Sequence, residues 1–148
     1  MAQVHVVHVR HLLFLPFLVA ACAAPADAGR LHLDDGRRVA ELATADSTVV
    51  LFYDPSRCFS CGTALPEWMA WRRLHPAQVR LLLTREPTPG EVRQLRAGRA
   101  EVDGMVKGAG WLVEGRSALA VLLVHGREAW SGEGGPAQLF HTPTARQP

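Results

Sequence analysis

Apolar residues fall into two kinds of pattern along this chain. Residues 48–53 (TVVLFY), 79–84 (VRLLLT) and 117–124 (SALAVLLV) are nearly unbroken runs of β-branched, aromatic and aliphatic side chains. Such runs suit strands buried on both faces of a sheet. From Cys61 the period changes: Ala64, Leu65, Trp68, Trp71 and Leu74 recur at spacings of three and four, which predicts a helix with both tryptophans on its core face. That helix ends near His75, because Pro76 follows, and Pro66 kinks it. Thr88-Pro89-Gly90-Glu91 combines an N-cap, a proline at the first helical position and a capping-box glutamate. It predicts a second helix, apolar at Val92 and Leu95, ending around Gly98.

The remaining segments are shorter. Residues 31–42 (LHLDDGRRVAEL) alternate apolar and polar around Asp35-Gly36, a hairpin signal. Glycines 104, 108, 110 and 115 break any long element in residues 101–116. His125-Gly126 predicts a tight turn into a short partner strand, REAW, and a short helix fits residues 136–140. Strands alternating with helices imply βαβ units and an α/β sandwich around a largely parallel sheet.

The N-terminus reads differently. One arginine, Arg10, precedes ten apolar residues at 12–21, too few to span a bilayer, which needs about 20. A charged start, a short apolar core and small residues at its end make a secretory signal over residues 1–21. Val19-Ala20-Ala21-Cys22 resembles the lipobox of bacterial lipoproteins. That resemblance makes Cys22 the lipid-attachment residue and the first residue of the mature chain, anchored to a membrane of the bacterial cell envelope. An ordinary signal-peptidase site among the same small residues is the alternative. Residues 22–30 then read as a lipidated tether, 31–140 as the folded domain and 141–148 as a flexible tail.

Composition narrows the partners. The chain has 148 residues, 48% of them hydrophobic, with a net charge of +2, so a single domain with a real core is expected. Lys107 is the single lysine, and the arginines are scattered among acids, so no nucleic-acid stripe is present.

The chemistry concentrates in PSRCFSCGTALPEW, residues 55–68, where Cys58 and Cys61 stand two apart after an apolar run and before a helical pattern. A structural zinc site needs four ligands, and His32, His75, His125 and His141 have no paired spacing to supply them. Copper binding by two cysteines and a distant histidine would draw on His125. A Cys–His hydrolase has no use for the second cysteine. A cysteine at a helix N-terminus faces free N–H groups and the positive end of the helix dipole, and both favour the nucleophilic thiolate.

A buried strand running into a CxxC that opens a helix, with Pro66 five residues after Cys61, resembles the thioredoxin fold. The Asp35-Gly36 hairpin and the exported, lipid-anchored setting resemble its TlpA-like, redoxin-like branch. The resemblance implies an α/β, thioredoxin-like three-layer sandwich with a central mixed sheet and flanking helices. It also implies thiol–disulfide exchange in which Cys58 attacks and Cys61 resolves, leaving a Cys58–Cys61 bond. Arg57, Phe59 and Ser60 become candidates for tuning the thiolate or contacting a partner. The partners implied are a protein thiol or disulfide substrate and a redox partner protein; no cofactor and no metal are called for.

The sequence departs from that family in three places. The family's cis-proline, which faces the CxxC, falls near Ala118 or Leu119, and no proline occurs between 90 and 135. The buried acid six residues before the first cysteine is Phe52 here, with Asp54 four before it. The last helix is truncated. These departures keep open a second reading, a non-enzymatic thioredoxin-fold binding module whose disulfide is structural.

Overall fold

The computed structural model of the protein describes residues 28–59 and 64–141. The signal segment, Cys22, Ser60, Cys61 and the tail after residue 141 lie outside those residues.

Ser47–Tyr53 forms β1, and every residue after Ser47 is buried. It pairs in parallel with β2 (Val79–Leu83) and antiparallel with β4 (Ala118–Val124). A β-branched and aromatic run fits this position because both faces of the strand meet other layers. Val49, Leu51 and Tyr53 point to one face; Val50 and Phe52 point to the other. Removing a side chain such as Leu51 would cost about 2–5 kcal/mol.

Two further strands complete a five-stranded sheet of order β3-β2-β1-β4-β5. Gly104–Met105 (β3) is parallel to β2, and Arg127–Gly132 (β5) is antiparallel to β4. The sheet is therefore mixed. The largely parallel arrangement suggested by alternating strands and helices ends at β4, which reverses direction beside β1. His125 (φ 49°) and Gly126 (φ 76°) both adopt left-handed backbone in the turn that makes the β4–β5 hairpin, as a tight primed turn requires.

One face of the sheet carries the helices. These are α1 (Ala64–Leu74), α2 (Pro89–Ala97) and α3 (Pro136–His141). Leu65, Trp68 and Met69 of α1 and Leu95 of α2 are buried against Val49, Leu51, Leu81 and Leu83. The Trp68 indole N–H donates to the Gly134 carbonyl at 2.8 Å, which ties α1 to the segment leading into α3. Trp71 is only half-buried and stacks near His75, with ring centroids 4.3 Å apart. Pro66 is the third described residue of α1, so the expected kink falls at the margin of what is described. Thr88 and Glu91 make both halves of the capping box on α2, and Gly98 is its C-cap.

The other face is covered by irregular chain and 3₁₀ turns. Leu33, Val39 and Leu42 pack there with Leu112 and Val113 of the turn Gly110–Val113. The hairpin expected in residues 31–42 reduces to one bridge, His32 with Arg38, followed by a 3₁₀ turn at Val39–Leu42. The reason is visible at β3. The Asp34 amide donates to the Met105 carbonyl at 2.8 Å, and Leu33 occupies the space where Gly104 lacks a Cβ. The segment thus pairs with itself only briefly around the turn and covers a sheet edge. Ala28–Arg30, expected within the tether, forms a 3₁₀ turn with Ala28 buried, and the Ala28 amide donates to Glu128 of β5.

Asp103 secures the short β3. Its carboxylate accepts from Arg72 and from the Leu81 amide, each at 2.7 Å. Arg72 is almost fully buried, so Asp103 supplies the countercharge that makes this burial tolerable.

Candidate functional site

The C-terminal end of β1 delivers the chain to residues 54–59. Asp54 begins a turn: its carboxylate accepts from the Ser56 amide at 2.9 Å and the Ser56 hydroxyl at 2.8 Å. The Arg57 amide closes it on the Asp54 carbonyl. Pro55 and Asp54 suit this position because one fixes φ and the other mimics a backbone turn with its side chain. The turn brings Cys58 to the surface, where it is exposed and disulfide-bonded.

Tyr53, the last residue of β1, anchors the same loop from below. Its hydroxyl donates to the Arg57 carbonyl, immediately before Cys58. Burial pushes the Tyr53 hydroxyl up to about 12, helped by the Asp54 and Glu91 carboxylates, so it remains a donor at neutral pH. Phe59 meets the Tyr53 ring edge-on at 6.1 Å and lies against Gly98, where any side chain would collide with its ring. Phe59, expected as a contact surface, is thus half-buried and forms a wall of the site. In the sequence Tyr53 reads only as part of a buried strand; its place as the last residue of the apolar run is the signal that its hydroxyl reaches the loop.

Cys58 stands between two clefts. One, of about 830 Å³, is lined by Arg57, Phe59, Pro66 and Arg73 on one side and Gln94 and Gly98 of α2 on the other. The smaller, of about 300 Å³, lies between Cys58, Tyr53 and Phe59 and the segments holding Ser117, Ala118 and Gly134. Ala118 pairs with Tyr53 across the sheet, so the start of β4 faces Cys58. That is where the sequence placed the family's cis-proline position, and Ser117 lines the cleft beside it. All peptide bonds among the described residues are trans. His125, the copper candidate, follows the far end of β4, about 20 Å of strand away from Ala118, and is not brought to Cys58. Among the described residues no three His, Cys, Asp or Glu side chains form a metal-holding group.

Strand order, the antiparallel β4 beside β1 and the delivery of Cys58 from the end of β1 toward α1 decide the architecture. The fold is thioredoxin-like. No family model and no curated protein matches the chain. Solved structures with a similar fold include StoA from Bacillus subtilis, at 19% identity and TM-score 0.47, over 79% of this chain and 96% of that one. A protein assigned as the thiol:disulfide interchange protein DsbE of Chlorobium tepidum is 16% identical, with TM-score 0.48 over 73% and 82% of the two chains. A protein assigned as a thioredoxin of Neisseria meningitidis is 16% identical, with TM-score 0.48 over 74% and 81%. At these identities the likeness concerns the fold alone, and the topology carries the assignment.

Within this thioredoxin-like frame, Arg85, which follows β2, bridges the turn at Asp54 to α2. Its guanidinium donates to Asp54 at 3.1 Å and to Glu91 at 2.5 Å. Burial pushes the Asp54 carboxyl up, but hydrogen bonds from Ser56 and the charge of Arg85 outweigh it and hold the group below its ordinary value. The Asp54 Oδ1 is thus occupied by the Ser56 amide and hydroxyl and by Arg85. Phe52, at the family's buried-acid position, lies in the core on the far face of the sheet. The Arg85 hydrogen bond also holds Glu91 low, with the Thr88 amide adding to it.

Both carboxyls have lowered folded values, so their stabilisation is complete above about pH 4 and is lost as pH falls through those values. Replacing Arg85 by Met should shrink that loss. Urea midpoints at neutral pH and at about pH 3 should fall less in Arg85→Met than in the parent protein. Equal falls would mean that Arg85 does not couple these groups to folding.

Proposed function

We propose that the protein is an extracytoplasmic thiol–disulfide oxidoreductase in which Cys58 attacks and Cys61 resolves. The observation that carries the reading is the placement of an exposed, disulfide-bonded Cys58 at the end of the central strand, open to two clefts. In the reduced protein, the Cys58 thiolate attacks one sulfur of a partner disulfide. A mixed disulfide forms and one partner thiolate leaves. The Cys61 thiolate then attacks the Cys58 sulfur and expels the second partner thiolate, leaving a Cys58–Cys61 bond. Two electrons pass to the partner, which takes up two protons, and a separate redox partner protein restores the dithiol. The same steps in reverse oxidise a partner dithiol. Tyr53 holds the carbonyl next to Cys58, Arg57 and Phe59 line the cleft with it, and Ser60 is a further candidate for tuning the thiolate.

The absence of a proline near Ala118 or Leu119, where the family carries its cis-proline, favours a second reading: a non-enzymatic binding module with a permanent disulfide.

Trapping separates the roles of the two cysteines. Cys61→Ser should accumulate a mixed disulfide through Cys58 with a model disulfide substrate. Cys58→Ser should trap nothing and reduce exchange to the uncatalysed background. A Cys58→Ser protein that still exchanges would contradict the mechanism.

The reading also places residues 1–21 as a signal, Cys22 as the lipid-attachment residue and the chain at the bacterial envelope. Expressed in a bacterium, the parent protein should sediment with membranes and Cys22→Ser should appear in the soluble fraction. Membrane retention of Cys22→Ser would rule out the lipid anchor.

A further inference from the structure

The larger cleft has an unbalanced charge. Two guanidinium groups line it, Arg57 beside Cys58 and Arg73 in the last turn of α1. Both residues are exposed, and neither guanidinium has an ion-pair partner among the described residues. The acid in the lining, Glu91, is already engaged by Arg85 and by its own capping box. The smaller cleft differs: its acid, Glu133, pairs with Arg116 at 3.1 Å. The larger cleft is therefore cationic on the side where Cys58 opens into it.

Its length adds a second constraint. Pro66 and Arg73 are seven residues apart on α1, which is about 10 Å of helix. An extended peptide covers that distance in about three residues. Phe59 and Ala97 supply apolar wall, and the Gln94 amide offers both a donor and an acceptor. A cleft of this length accepts a stretch of extended chain, with one guanidinium beside Cys58 and the other on α1.

We propose that the cleft binds an acidic, extended segment of the protein partner. One carboxylate adjacent to the partner's reacting cysteine meets Arg57, and a second, farther along the segment, meets Arg73. This inference rests on the redox reading of Cys58. Its energetic role is selection: charge complementarity acts mainly on the rate of encounter and on the choice of partner. Because both cations are solvent-exposed, the selection weakens as salt rises.

The test uses the reduced full-length protein and synthetic peptides whose single cysteine is disulfide-linked to a common small thiol. Three peptides carry aspartate and glutamate, serine and glutamine, or lysine around that cysteine. Each rate is divided by the rate of the same peptide with 2-mercaptoethanol, which carries no charge besides its thiolate, to remove most of the intrinsic difference in disulfide reactivity. The acidic peptide should exchange about tenfold faster than the basic one at low ionic strength. The ratio should approach one in about 1 M salt, where the screening length is only about 3 Å. Arg57→Glu should invert the preference for the adjacent carboxylate, and Arg73→Glu the preference for the distant one. Equal normalised rates for all three peptides would overturn the acidic-segment proposal and leave the redox reading standing. No exchange with any peptide would remove the redox reading, and the proposal with it.

Discussion

The burial of β1 on both faces is the constraint on which the rest of the structure depends. A strand with water on neither side needs a hydrogen-bonded neighbour on each edge and a packed layer above and below. β2 and β4 supply the edges. The helices cover one face, and the segment from Leu33 to Leu42 covers the other together with Gly110–Val113. Once β1 is fixed this way, its C-terminal end is fixed too. Tyr53 and Asp54 then determine where the Pro55–Cys58 turn emerges. The place where Cys58 emerges is therefore set by the core behind it, although Cys58 itself lies on the surface.

The parts of this fold legible in the sequence are those whose signal is local. The runs at 48–53, 79–84 and 117–124 became β1, β2 and β4, because double-sided burial demands continuous apolar chain. The Thr88–Glu91 capping box was readable because all its partners lie within one helical turn. Strand direction was not readable, since an apolar run looks the same in either sense. β3 escaped because two residues, one of them glycine, carry no periodicity. It exists through the distant contacts of Asp103 and the cover provided by Leu33 and Asp34. The same contacts explain why the Asp35-Gly36 turn does not develop into a full hairpin.

The site divides along the same line. Cys58, Arg57 and Phe59 are neighbours in sequence and were legible as a group. The Arg85 bridge joins Asp54, 31 residues earlier, to Glu91, six later. Nothing in the local pattern distinguishes this arginine from the other scattered arginines. Likewise Arg73 reads from sequence as one polar position on a helix. Only the fold, which sets α1 and α2 on one face of the sheet, puts it in the same cleft as Cys58.

Under the proposed function the disulfide at Cys58 exchanges with partner thiols, and its reduction potential, measured on the full-length protein by equilibration with glutathione or dithiothreitol buffers, decides this. A value between about −270 and −120 mV, the range of working exchangers, is expected. A value well below about −300 mV would mark a bond that does not turn over and would leave a structural disulfide in a binding module.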